Sequence, residues 1–325
     1  MSRTPICLMI DDGAPGISVY STHAKSPFTE DGRPICRDIP NDFLEDFCNV
    51  AERFGIRGKL SVVPMPGGLG DIAHGIPGYP KAQTEQWLET VRSRVTPQFS
   101  LSPEMLTHAA YWDLSREAPG STDENTWSQT QTRRTLTPYI TRALEILKAA
   151  GLDITGVSSP WRFGANVQRE YELALSDAME AVFGKRDVWY ALHGGASVPG
   201  YRPQPVKGED GKRMVWFRCV IGDRLWKTMN TPDTSEGYIS SVADQLITAD
   251  GAGGEIIQAL EEGSQVIFLT HWQSLYSNGT RAGLRALELA AQRIRTYLSG
   301  RVEWIRTEDL MHRILREETP EQICK

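Results

Sequence analysis

Asp11 and Asp12 stand side by side at the end of a short apolar run, Ile6-Cys7-Leu8-Met9-Ile10, and Gly13 follows them. Such a run reads as a buried strand. Two carboxylates at its mouth are costly unless something pairs with them. A bound cation, with one carboxylate left as a proton acceptor, would use both; a plain Asp-Asp-Gly turn is the alternative. If the strand pleat persists, the two side chains point to opposite faces. One would then bind metal and the other accept a proton. His271 closes another buried run, Val266-Ile267-Phe268-Leu269-Thr270, and its ordinary pKa suits a general acid near neutral pH. His108 lies in Leu106-Thr107-His108-Ala109-Ala110-Tyr111-Trp112, either as a hydrogen-bonded structural residue or at the site. His193 precedes Gly194-Gly195, and His23 lies in the first loop within reach of the same rim. Trp161 and Trp272 offer aromatic faces for a sugar or for core packing. Arg162 would orient a carboxylate or form a surface ion pair.

The elements that must position these residues alternate between strand and helix. Strands are expected at Ile6–Ile10, Lys59–Val63, Glu104–Thr107, Ile154–Ser158, Asp187–Leu192, Met214–Val220, Gln265–Thr270 and Val302–Ile305. Helices are expected at 41–54, 84–95, 138–150, 166–183 and 280–298, with a last one after Thr307. Asn41–Phe54 carries Phe43, Leu44, Phe47, Val50, Ala51 and Phe54 on one stripe, and Gly55 closes it. Thr137 and Pro138 read as the cap and first residue of the next strong helix, with Gly151 after its last turn. This alternation implies a parallel sheet with helices outside. About seven strands suggest a barrel, with a doubly wound open sheet as the rival. No Gly-rich phosphate loop follows the first strand. In a barrel the polar residues above would gather at the carboxyl ends of the strands.

Bulk properties narrow the classes. The 325 residues fit one elaborated domain, 40% of them are apolar, and the net charge of -6 excludes a nucleic-acid footprint. Five scattered cysteines argue for a reducing compartment. No signal-peptide pattern and no membrane-spanning apolar run are present. The expectation is a cytoplasmic protein acting on a small molecule, without nucleic-acid or membrane partners.

The ordered pieces resemble the polysaccharide deacetylases, the NodB-homology domain of carbohydrate esterase family four. Ile10-Asp11-Asp12-Gly13 is similar to the family's first motif. Phe54 to Val63 resembles its second-strand segment, and Ser158-Ser159-Pro160-Trp161-Arg162-Phe163-Gly164 its third motif. Val266 to His271 resembles the late strand that ends in the catalytic histidine, and Val302 to Leu310 the closing strand and helix. The resemblance covers most of residues 1–325 as a single domain, with insertions near 14–40, 64–100 and 194–240.

It implies a distorted (β/α) barrel of about seven parallel strands, NodB-like, with long inserted loops. It also implies hydrolysis of acetyl groups on sugars with a divalent metal, often zinc. On that pattern Asp11 is the base, Asp12 and His108 are metal ligands, and His271 is the acid. Trp161, Arg162 and Trp272 stand near the substrate. The family's second motif sets two metal-binding histidines four residues apart. Taking His108 as the first puts Trp112 at the second, so Asp113, His23 or His193 would complete the ligand set. In the third motif Arg162 follows Pro160 where the family's arginine precedes it. A glycoside hydrolase on the same barrel and a metal-free saccharide-binding protein are the alternatives.

Overall fold

The computed structural model describes residues 3–192 and 199–317. Seven parallel strands run around a ring. β1 (Thr4–Gly13) lies between β7 (Val266–His271) and β2 (Gly58–Val62), and β2 pairs with β3 (Phe99–Pro103). Isolated parallel bridges, Leu101 with Ile154 and Glu104 with Ser158, join β3 to β4 (Gly156–Ser158). Next come β5 (Asp187–Ala191) and β6 (Arg213–Phe217). The other edge of β6 takes an antiparallel hairpin strand, Gln204–Lys207. The ring therefore closes only beyond Phe217, where Val220 N donates to Ile267 O at 2.8 Å and Ile221 bridges Phe268. This late closure distorts the barrel. A short strand, β8 (Val302–Trp304), pairs with the start of β1.

Helices cover the outside. They are α1 (Asn41–Phe54), α2 (Lys81–Thr90), α3 (Arg133–Ala149), α4 (Gln168–Phe183), α5 (Glu236–Leu246), α6 (Glu255–Glu261), α7 (Ala282–Leu298) and α8 (Thr307–Glu317). Ile6, Leu8 and Ile10 of β1 pack outward with Phe43 and Phe47 of α1 in the main core. Cys7 and Met9, on the opposite pleat, pack inside the ring with Trp189, Val215, Phe217 and Ile267. Leu310, Met311 and Leu315 of α8 join that inner cluster, opposite the carboxyl ends of the strands. A strand buried on both faces must be apolar on both pleats, as β1 is up to Ile10.

Several boundaries differ from the sequence expectation. The third strand is Phe99–Pro103, not Glu104–Thr107. Its residues alternate large apolar with serine, and the small serines point into the ring. α3 begins five residues early, at Arg133, because Thr132 and Thr135 form a capping box there; Pro138 sits inside the helix. α4 starts at Gln168, after a single 3-10 turn that contains Asn166. Within the inserted stretches, the helix expected at 84–95 is α2 at Lys81–Thr90 and the strand expected at Met214–Val220 is β6 at Arg213–Phe217. The stretch 14–40 adds a short helix, Val19–His23, that was not expected. His193 lies outside the described residues.

Candidate active site

A cleft of about 1340 Å³ opens over the carboxyl ends of β1 and β7. Asp11, Asp12, His23, Glu104, His108, Trp161, Arg162 and His271 line it. Both aspartates reach it because the pleat does not persist. Asp12 adopts φ 68, and the β1–β2 register shifts between Ile10 and Gly13. A left-handed backbone is uncommon outside glycine, with aspartate among the residues that tolerate it, and bulges of this kind re-aim side chains. Met105, His108 and Trp161, at or beside the same cleft, also have positive φ.

Asp12, Glu104 and His108 are all buried, and one ligating atom from each lies within 4.8 Å of the others. Asp12 Oδ1 is 2.8 Å from His108 Nε2, and Gln273 Nε2 donates to Asp12 Oδ2 at 2.6 Å. Burial would raise the Asp12 carboxyl, but the charge and hydrogen bond of His108 and the charge of His271 together outweigh it and hold the group well below the usual carboxylate range. Burial would lower the His108 imidazole, but Asp12 raises it to about 9. Glu104 is pushed up to about 7, first by burial and then by repulsion from Asp11. His108 is placed by Glu124, a buried carboxylate that accepts from the His108 N–H at 2.8 Å and the Thr107 N–H at 2.8 Å. Tyr139 donates to the same carboxylate at 2.6 Å.

Glu104, four residues before His108, is the third group brought to Asp12 and His108 among the described residues; the sequence reading had looked to Asp113, His23 or His193. Trp112 lies outside the cleft lining, with its backbone N–H on Tyr139. Asp113 is turned to Ser115 and also lies outside the lining. His23 does reach the site, but as a ring stacked on His108, with centroids 4.6 Å apart. Burial lowers its pKa to about 4.

Asp11 is held from beneath. Lys59, wholly buried on β2, donates to Asp11 Oδ1 and to Ser158 Oγ at 3.0 Å, and its Nζ is 3.7 Å from Glu104 Oε2. Burial opposes the Lys59 charge, but Asp11 and Glu104 outweigh it and raise the ammonium above its ordinary range. Across the register from Asp11 stands His271. Its Nδ1 is 2.7 Å from Asp223 Oδ2, and Ser274 Oγ donates to the same oxygen at 2.5 Å. Burial would lower the His271 imidazole, yet Asp223 raises it to about 9.

Trp161 stands 40% exposed on the rim, edge-on to His108 at 4.7 Å, and Arg162 is exposed beside it. Trp272 does not line the cleft. It is buried against Phe43 and Phe47, because the short helix Trp272–Tyr276 turns inward at once. The next residue, Gln273, faces Asp12 instead. Lys59, Glu104, Glu124 and Asp223 carried no role in the sequence reading. Only Glu104 had a legible signal, its spacing of four from His108.

The donor set fits a divalent cation. Two carboxylates and an imidazole are ordinary ligands for one. Asp12 Oδ1 is buried without an aligned hydrogen bond and faces His108 Nε2 at 2.8 Å, so two ligand atoms are turned toward each other.

No family model and no curated protein matches the chain. Solved structures do. A "putative polysaccharide deacetylase" from Mycobacterium smegmatis aligns at TM-score 0.55 and 12% identity, over 98% of this chain and 92% of that one. A family 4 carbohydrate esterase from Streptomyces lividans, in complex with acetate, aligns at TM-score 0.42 and 11% identity, over 92% and 90%. A mutant of a CE4 family pseudoenzyme aligns at TM-score 0.45 and 9% identity, over 95% and 68%. The Mycobacterium structure carries the likeness: this chain has the fold of that deacetylase, as the ordered motifs implied.

Proposed function

We propose that this chain is a metal-dependent hydrolase that removes an acetyl group from an acetylated sugar or oligosaccharide. The observation that carries the reading is a convergence at one end of one cleft. Asp11 and His271 stand in register across β1 and β7, beside the Asp12, Glu104 and His108 cluster.

A divalent cation, zinc in this reading, would be held by Asp12, Glu104 and His108; it would polarise the acetyl carbonyl and acidify a water. Asp11 is the base that would take the proton of the attacking water. Lys59 holds the carboxylate in place. His271, protonated through neutral pH and oriented by Asp223, gives its proton to the departing amine or alkoxide. Gln273 fixes Asp12. Adjacent Asp11 and Asp12 are poorly placed for the two carboxylates, roughly 5–9.5 Å apart, that glycoside hydrolysis uses.

The exposed Trp161 offers a flat apolar face to a sugar ring, and the open cleft has room for more than one residue. Cys7, Cys36 and Cys48 are free thiols, which supports a reducing compartment and hence a cytoplasmic substrate. No helix of the described residues is long and apolar enough to cross a membrane.

The test is acetate release by zinc-loaded protein from N-acetylglucosamine oligomers and from O-acetylated xylo-oligosaccharides. Release that disappears in Asp11→Asn and His108→Ala supports the reading. Tight oligosaccharide binding without any acetate, with zinc shown to be bound, replaces it with a saccharide-binding protein.

A further inference from the structure

We infer that Lys59 is a positioning residue that divides the carboxylates at the barrel mouth between two tasks, tethering Asp11 as the base and leaving Glu104 to the metal. This rests on the metal-hydrolase reading above. Three carboxylates, Asp11, Asp12 and Glu104, line the same end of the cleft. Each is a competent ligand for a divalent cation. A base must stay off the cation, because a carboxylate that ligates it has lost the lone pair meant for the proton. Something has to assign the roles, and adjacency in sequence does not: Asp11 and Asp12 are neighbours with different partners.

Lys59 is placed to do this. It stands on β2 in register with Met9 of β1 and Ser100 of β3, inside the ring. A buried ammonium is costly unless paired and hydrogen-bonded, and a methionine would fill the same slot without that cost. The interior is instead cleared for it. Ser61, Ser102 and Ser158 are small buried hydroxyl residues at this end of the ring, and Ser61 Oγ also donates to Asp11 Oδ1 at 3.4 Å. Ser158 Oγ touches Lys59 Nζ, Ser102 Oγ and Glu104 Oε2 at 3.0, 2.9 and 3.0 Å.

The ammonium's contacts are unequal. Asp11 has a direct hydrogen bond, whereas Glu104 stands at 3.7 Å and reaches Lys59 through the Ser158 hydroxyl. Asp12 meets His108 and Gln273 instead. The carboxylate closest to the lysine is therefore the one withheld from the cation, and the looser one is the one released to it.

The experiment compares Lys59→Met, Asp11→Asn and the double variant with the unaltered full-length protein, each reconstituted with Co2+. The readouts are the visible Co2+ absorption, the Co2+ affinity and the split of kcat against KM for acetyl release. In Lys59→Met the tether is gone and Asp11 joins the cation. The Co2+ band weakens as the coordination number rises, and kcat falls by about 10²–10⁴ with KM little changed, the loss of a general base. Adding Asp11→Asn to Lys59→Met restores the original Co2+ band. Asp11→Asn alone frees Lys59 to take Glu104, and Co2+ binds roughly 10–100-fold more weakly, the scale of a lost supporting partner.

Lys59→Met with an unaltered Co2+ band and kcat overturns the inference. So does a changed band that the second substitution leaves unchanged. If Lys59→Met does not fold, Asp11→Asn decides alone: undiminished Co2+ affinity overturns the inference. Unaltered protein that binds neither Co2+ nor Zn2+ overturns the metal reading as well. Bound metal without acetate release overturns only the proposed activity, and the spectral comparison still decides the role of Lys59.

Discussion

Glu104 and His108 stand four residues apart where the chain leaves β3, and both bring a ligating atom to Asp12. The intervening Met105 and His108 itself have positive φ, so the loop doubles back and presents both side chains to the cleft. A carboxylate on the other side of His108 therefore joins Asp12 and His108, where the sequence reading looked to Asp113, His23 or His193. Glu104→Gln is expected to weaken zinc binding by more than the roughly 10–100-fold that an outer partner costs, because it removes a ligand itself. Trp112→Phe is expected to leave zinc binding unchanged. Calorimetric titration of chelator-treated protein checks both. Equal affinities for Glu104→Gln and the unaltered protein would remove Glu104 from the site.

Asp223 and His271 make a second pair with a pH signature. His271 is raised to about 9, so it holds its proton through neutral pH and loses it as pH rises through that value. The acid form, and with it kcat/KM, should fall above about 9 in the unaltered protein. Asp223→Asn removes the largest of the partners that raise the imidazole, with Asp12 and Asp11 remaining, and the group moves down from about 9 toward its ordinary value of about 6.5. The alkaline limb of the profile then moves down by one unit or more. The stability sign follows from the same shift. A raised histidine stabilises the fold fully below its unfolded pKa, and this is lost as pH rises through about 9. The Tm gap between the unaltered protein and Asp223→Asn should therefore be widest near pH 6 and close near pH 10. A gap independent of pH would show that Asp223 serves only packing.

Much of this arrangement was legible before the structure, and the reasons for the rest are local. The β1 run and α1 were readable because apolar periodicity and a terminal Gly55 with φ 65 leave few alternatives. The strand order that follows carried the barrel. Phe99–Pro103 was not readable as a strand, because its serines and closing proline look like a loop; misplacing it by five residues also moved the motif around His108. Lys59 opened an expected strand with no role assigned to it, and in the closed ring its pleat faces inward. Asp223 was hidden in a stretch with no periodic signal. Its Oδ1 accepts from the nearby Leu225 and Trp226 N–H groups, and its Oδ2 is bound by Ser274 and His271 from the far end of the chain. Trp272 shows the converse error, since adjacency to His271 in sequence placed it at the site while the helical turn carried it into the core.

The two tryptophans once paired as substrate contacts should now separate experimentally. Trp161 stands exposed on the rim, so Trp161→Ala should raise KM for oligosaccharides and leave Tm within about 1 °C, as surface changes do. Trp272 is buried against Phe43 and Phe47, so Trp272→Ala should destabilise the fold by about 3–5 kcal/mol. Denaturant melts together with KM measurements on a short and a long oligomer distinguish them. A KM effect for Trp272→Ala at a temperature where it remains folded would return it to the substrate site.

Zinc affinity itself should depend on pH in two steps. The cation needs the His108 nitrogen without its proton and Glu104 as a carboxylate. His108 is raised to about 9 and Glu104 to about 7. Between those values binding displaces one proton, so the apparent affinity should rise about tenfold per pH unit. Below about 7 Glu104 must also lose a proton, and the slope should approach two decades per unit. Above about 9 both groups are ready and the affinity levels off. Competition against a chelator of known affinity, from pH 5.5 to 9.5, measures this curve. Glu104→Gln should remove the steeper lower limb, and a flat curve would show that neither group gives up a proton to the metal.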